Sequence, residues 1–280
     1  MKIARSISHN LLTLFITLGS LSACAYQNHE ASELASNNAK PSTSLVLVHG
    51  ANLRASSFVE VERLLTGKGL NVTSPQIYTP EEETDLATVA GRLCKHLEKI
   101  EGPSILVGHS QGGAIIAEAT THCSEQISSL IFIAAVIPLP GEGVFDKLST
   151  EDIKNFEKCA ELRDESYFVP VSPRGCHFAF MNNVISNTEA HRYFERDFAK
   201  EHIGLGSSKA NYDSDKLNRI PKSYIKTLND KILSPSTQNR YLQSHDFTEI
   251  ISINSDHTPF YSQPEKLSLA IKSLIDSRKD

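Results

Sequence analysis

The sequence predicts an α/β domain built on a mostly parallel, doubly wound sheet. Three observations carry that prediction. Short apolar runs such as Ser44-Leu45-Val46-Leu47-Val48 alternate along the chain with segments of helical periodicity. These runs are nearly continuous, as expected of strands buried on both faces of a parallel sheet. Gly108-His109-Ser110-Gln111-Gly112 joins one run to a small-residue helical segment, with serine at the apex of the turn.

The 280 residues suit one such domain with an insertion, and 40% apolar content can fill a sizeable core. The formal charge of −5 is mild and unclustered. No basic stripe or interleaved aromatic-basic segment points to nucleic acid as a partner. Nothing in the sequence fixes the oligomeric state.

Residues 1–23 read as an export signal and stand apart from fold reasoning. Lys2 and Arg5 precede Leu11-Leu12-Thr13-Leu14-Phe15-Ile16-Thr17-Leu18, an apolar stretch too short to span a bilayer comfortably. Leu21-Ser22-Ala23-Cys24 then resembles the lipobox of bacterial lipoproteins. The resemblance implies cleavage before Cys24, lipidation of that cysteine, and a membrane anchor in a bacterial envelope. Ala25, rather than Asp, implies the outer membrane. Loss of Lys2 and Arg5 would take the formal charge to −7. Residues 24–43, polar and rich in Asn, Ser and Ala, read as a disordered tether. It would hold the folded domain (44–280) roughly 25 Å from the lipid.

The first strand, 44–48, ends at His49-Gly50-Ala51-Asn52. A helix over 55–66 is closed by Gly67 and Gly69. A short strand over 70–74 stops at Pro75. Thr84 is expected to cap a helix over 85–100 with Leu86, Val89, Ala90, Leu93 and Leu97 on one face. The third strand leads into the serine turn, and a helix over 111–123 leads out. A fourth strand covers 129–136. An irregular insertion follows, about 138–219. Strands over 222–228 and 249–254, each followed by a helix, complete the alternation.

Residues that do chemistry in such a sheet sit beyond the carboxyl ends of the strands. That rule selects four places, Gly50-Ala51-Asn52, Ser110, Asn229-Asp230 and Asp256-His257. Gly108 and Gly112 flank Ser110 at the G-x-S-x-G spacing of a nucleophile elbow. The serine there is strained, and side chains at the flanking positions would collide across the turn. Serine is a poor nucleophile until a base takes its proton, and imidazole suits that task. Among eleven histidines, His257 is the one beyond the last strand. Asp230, two residues past the fifth strand, is placed to orient it. Asp256 is a rival, but it adjoins His257 and adjacent side chains diverge. The backbone N–H groups of Gln111 and Ala51 are the candidate oxyanion donors. His49 is expected to be a structural hydrogen-bonder beneath the first loop.

These motifs together resemble the α/β-hydrolase superfamily, with its chain order Ser, Asp, His. Val46-Leu47-Val48-His49-Gly50-Ala51, Val107-Gly108-His109-Ser110-Gln111-Gly112-Gly113, Ile131-Phe132-Ile133-Ala134-Ala135, Tyr224-Ile225-Lys226-Thr227 with Asp230, and Asp256-His257 carry the resemblance. It is nearest the group of methyl esterases, hydroxynitrile lyases and related esterases. It implies an α/β-hydrolase fold with a helical cap inserted after the fourth strand. It also implies hydrolysis of carboxylic esters through an acyl-enzyme, without metal or organic cofactor. Acyl transfer and cyanohydrin cleavage are alternatives in the same pocket, and a non-catalytic envelope binding protein is a third. In the lyases a Lys follows the catalytic His and a Thr occupies the oxyanion loop. Here Thr258 and Ala51 stand at those positions, which favours ester hydrolysis.

If Cys24 is lipidated, Cys94, Cys123, Cys159 and Cys176 remain, and four cysteines allow three pairings. The resemblance favours Cys94–Cys123, because the helices on either side of the elbow strand pack together in this fold. Cys159–Cys176 would then staple the cap. The cap holds seven of twelve Phe and three of eight Tyr, an enrichment that points to an apolar substrate pocket. Phe145, Phe178, Phe180 and Met181 are the expected lining.

Overall fold

The structure, a computed structural model, describes residues 44–184 and 186–278. Cys24 and the tether expected over 24–43 lie outside the described residues. Strands β1 (Ser44–Val48), β2 (Asn71–Thr73), β3 (Ser104–His109) and β4 (Ile127–Ile133) precede the insertion. The insertion contributes β5 (Ala160–Arg163), β6 (Tyr167–Pro170) and β7 (Glu201–His202), and β8 (Lys222–Thr227) and β9 (Glu249–Ile253) follow it. The main sheet has the order β2-β1-β3-β4-β8-β9, and every pairing in it is parallel. This is the α/β-hydrolase architecture.

Alternate residues of each central strand serve opposite faces, which explains the unbroken apolar runs. Val46, Val48, Leu106, Leu130, Phe132 and Tyr224 pack beneath helices Leu86–Leu97 and Gly112–Cys123. Leu45, Leu47, Ile105, Val107, Ile131 and Ile225 pack against Val59–Thr66 and Pro264–Asp276 on the other face. Each fully buried aliphatic side chain contributes roughly 1.5–3 kcal/mol relative to exposure.

Several boundaries differ from the sequence expectation by a few residues, and two of the differences have a clear local cause. Asp85, not Thr84, caps the second helix, because its carboxylate accepts the Thr88 N–H at 2.7 Å. The fourth strand ends at Ile133, because Ala134 turns into the left-handed region at φ 42°.

The cap over 138–219 is not purely helical. Among its described residues, five helices accompany a three-stranded antiparallel sheet, β5-β6-β7. Cys94–Cys123 joins the helices flanking the elbow strand, with Cα atoms 5.7 Å apart. Cys159–Cys176 joins the start of the cap sheet to helix Pro173–Phe180. Among the described residues no helix is long and apolar enough to cross a membrane.

Candidate active site

The turn after β3 has the backbone of a nucleophile elbow. Ser110 lies at φ 52°, a strained value for a residue with a Cβ. Its N–H donates to Ile133 O at 3.1 Å, and its carbonyl accepts from Gly113 N and Val136 N at 3.0 Å each. A Cβ on Gly108 would stand 2.6 Å from Gly112 O, and one on Gly112 would stand 2.4 Å from Val48 O. Both flanking positions therefore exclude a side chain, as the motif's spacing requires.

The carboxyl ends of β8 and β9 bring an aspartate and a histidine together. His257 Nδ1–H donates to Asp230 Oδ2 at 2.8 Å, and both side chains are buried. Asp230 Oδ2 also accepts the Thr227 hydroxyl at 2.8 Å, and Oδ1 accepts the backbone N–H groups of Ile232 and Leu233 at 2.9 and 2.7 Å. Four residues, Asp230 with Thr227, Ile232 and Leu233 behind it, thus fix the orientation of one imidazole. Asp256, the rival, points away. It accepts from Asn183 N at 2.7 Å and Ser262 Oγ at 2.7 Å, and burial pushes its carboxyl above the usual range.

The loop carrying His257 is fastened to the elbow. His109 Nε2–H, one residue before the serine, donates to His257 O at 2.7 Å. Burial, with His257 close by, holds the His109 imidazole well below its ordinary pKa, so the ring is neutral. Ser110 Oγ has no hydrogen-bond partner among the described residues and faces a cavity. The His257 ring meets Phe180 edge-on, at 5.5 Å between centroids, and Phe180 lines the same cavity.

The backbone N–H groups of Ala51 and Gln111 have no acceptor among the described residues. Ala51 and Ser110 line one cavity, of about 270 Å³. Its wall is largely apolar, with Val136, Leu148, Phe156 and Phe168 prominent. His49 lies beneath the loop, donating to Gly50 O at 3.1 Å and accepting from Gln76 Nε2 at 3.0 Å. Burial depresses it to about pKa 4, which suits a neutral structural histidine.

Of the four expected lining residues, Phe145 and Phe180 line the cavity. Phe178 and Met181 do not. Phe178 is 42% exposed and sits between the ammonium groups of Lys158 and Lys231, at 4.3 and 3.6 Å from its centroid. A helix turns about 100° per residue, so Phe178 and Phe180 project from opposite sides of Pro173–Phe180. Met181 is wholly buried in the core on the β1–β3 side.

From sequence, Glu201 has no expected place in the site, and Asn52 has no role beyond lying in the first strand-end loop. Glu201, on β7, lines the cavity and is 4% exposed. Asn52, beside Ala51, takes φ 57°; its backbone N–H donates to Glu201 Oε2, and its side chain bonds the cap. Glu201 lies in the polar stretch Lys200-Glu201-His202, which offers no local sign of burial.

A parallel sheet, a strained serine elbow and a His–Asp pair at the neighbouring strand ends define an α/β-hydrolase. A model of the "Alpha/beta hydrolase family" matches residues 45–268, and the chain belongs to that family. It is similar to the pyrethroid hydrolase of Sphingobium wenxiniae, 25% identical over 84% of this chain and 88% of that protein. It is also similar to the putative chloroplastic methylesterase 14 of Arabidopsis thaliana, 28% identical over 79% of this chain and 69% of that one. The crystal structure of a pyrethroid hydrolase from Sphingobium faniae superposes with a TM-score of 0.72 at 24% identity, covering 84% of this chain and 97% of that one. That last likeness establishes the fold. The relatives are esterase-type hydrolases, and the protein is a hydrolase of that general kind.

Proposed function

We propose that the protein is a serine carboxylesterase acting through a Ser110–His257–Asp230 triad on small to medium apolar esters. The observation that carries the reading is a strained elbow serine opening into an apolar cavity beside a buried His–Asp pair. In the mechanism, Ser110 Oγ attacks the ester carbonyl and its proton passes to His257 Nε2. Asp230 holds the Nδ1 proton in place and stabilises the imidazolium. The tetrahedral oxyanion accepts from the Ala51 and Gln111 N–H groups, which are free to receive it. Collapse expels the alcohol, which takes its proton from His257. Water then repeats the sequence on the acyl-enzyme and releases the acid. The Ser110–His257 contact closes with substrate in place, as catalytic hydrogen bonds commonly do.

The relatives' activities support ester hydrolysis over acyl transfer or cyanohydrin cleavage, and so do Ala51 and Thr258. Thr258 Oγ1 donates to Phe180 O at 2.9 Å, so its side chain is committed to holding the cap. p-Nitrophenyl acetate and butyrate should be cleaved with one acid released per alcohol. Retention of the acyl group on an added alcohol in preference to water would indicate a transferase instead.

The same reading places the enzyme in a bacterial envelope, tethered through lipidated Cys24, with the outer membrane as the expected side. Its support is the Leu21-Ser22-Ala23-Cys24 box after a short apolar stretch. Mass spectrometry of the mature chain should find Cys24 first and carrying diacylglycerol. An unmodified N-terminus elsewhere would overturn it.

A further inference from the structure

We propose that Glu201 is a positioning residue: from the cap, it holds the two oxyanion-donating segments in register. The inference rests on the serine-esterase reading and goes beyond it, because no member of the triad involves the cap sheet.

The geometry is specific. One carboxylate oxygen, Oε2, accepts the backbone N–H of Asn52, the residue after the donor Ala51. The other, Oε1, accepts from the side chain of Gln111, the second donor, at 2.6 Å. A single side chain thus bridges both halves of the proposed oxyanion hole. Asn52 is also tied to the cap by three further bonds. Its Nδ2 donates to Phe168 O at 3.0 Å and to Ala199 O at 2.8 Å, and its carbonyl accepts the Ala199 N–H at 2.9 Å. These contacts hold Asn52 in its left-handed backbone conformation and fix the Ala51–Asn52 peptide, which immediately follows the one carrying the Ala51 N–H.

A packing role alone would not call for an acid here. The cavity wall is largely apolar, and a buried carboxylate is costly unless it is hydrogen-bonded. Burial pushes Glu201 up to about pKa 7, against the pull of the Asn52 and Gln111 donors, with Glu81 adding to the rise. Tyr78, whose hydroxyl accepts from Gln111 at 3.3 Å, completes the polar cluster. Gln111 Oε1 has no partner among the described residues. A glutamine at 201 could therefore keep both bridges if the Gln111 amide turned over. A leucine of similar volume could keep neither.

The test is steady-state hydrolysis of p-nitrophenyl butyrate by Glu201→Leu, Glu201→Gln and Ser110→Ala proteins, each checked for cooperative melting. Loss of one oxyanion donor costs about 10²–10³-fold in kcat. Misalignment of both donors in E201L should cost about 10- to 100-fold in kcat, with KM within about threefold. E201Q should restore kcat to within about threefold of the unsubstituted enzyme. E201L at full kcat, a change confined to KM, or an E201Q as slow as E201L would overturn the proposal. If E201L does not fold, E201Q decides: a tenfold or greater loss overturns it, and near-full kcat sustains it. S110A separates the two readings. If S110A turns over normally the esterase reading fails, whereas a dead S110A beside a fully active E201L removes only the role of Glu201.

Discussion

His257 and Asp230 meet through Nδ1 and Oδ2 at 2.8 Å, with neither side chain more than 1% exposed. The pair bridges the loops after β8 and β9, so the sheet itself sets its geometry. The loop ends are further pinned by the cap. Ser234 N donates to Asp152 Oδ1 at 3.1 Å, Asn155 Nδ2 to Lys231 O at 3.0 Å, and Asn183 N to Asp256 Oδ2 at 2.7 Å. The cap is therefore hydrogen-bonded to the loops that carry Asp230 and His257, and through Ala199 to the loop that carries Ala51.

The first prediction concerns that pair. In Asp230→Asn the carboxylate that fixes the tautomer of His257 is gone, so kcat/KM for p-nitrophenyl butyrate should fall roughly 10³- to 10⁴-fold. The fold should survive, because the amide oxygen can still accept from Ile232 and Leu233. A loss below tenfold in a folded variant would assign the acid elsewhere.

The elbow glycines give the second. A Cβ at position 112 would meet the carbonyl oxygens of Val48 and His49, at 2.4 and 2.8 Å. Backbone cannot yield as a flexible side chain can, so Gly112→Ala should destabilise by about 1–3 kcal/mol or more. Activity should drop at least tenfold through displacement of Ser110. Melting temperature and turnover measured together check both, and a neutral outcome in each would refute the close approach.

Stability against pH gives the third. The folded pKa of Glu201, about 7, lies above its ordinary 4.5. The folded state holds that proton more tightly than the unfolded state. The stabilisation is complete below about pH 4.5 and lost as pH rises through 7, an effect of roughly 3 kcal/mol. Glu201→Gln cannot titrate, so its melting temperature relative to the unsubstituted protein should climb by several degrees from pH 4.5 to 8. A pH-independent difference would contradict this. His49 acts in the opposite sense: held neutral down to about pH 4, it costs stability as pH falls below 6.5.

The cap disulfide gives the fourth. Cys159–Cys176 closes a loop of 17 residues, and such a loop is worth about 3 kcal/mol. The Cys159→Ser, Cys176→Ser double variant should melt lower and be cut faster by trypsin at Lys154, Lys158 or Arg163. Unchanged proteolysis would mean that the cap is held by its contacts with the core alone.

How much of this was legible in the sequence follows from how local each signal is. β1, β3 and β4 are two-sided buried strands, so their apolar runs announce them. Ser110, Asp230, His257 and Ala51 fall at strand ends, where chain order locates them. The cap sheet is different. β7 has two residues and β5 exposes Leu162 by 53%, so neither carries a periodic pattern. Glu201 is buried where the segments of Asn52 and Gln111, 149 and 90 positions away, fold against it. No window of sequence contains that fact. Phe178 is the reverse case, since helical geometry alone separates it from Phe180.

The most direct measurement is peptide mapping after treatment with a fluorophosphonate, a reagent that reacts with activated serines. One adduct, on the peptide bearing Ser110, should appear as turnover of p-nitrophenyl butyrate is lost, and S110A should show neither adduct nor turnover. An adduct on another serine, or a folded S110A protein that still hydrolyses the ester, would contradict the assignment of Ser110 as the nucleophile.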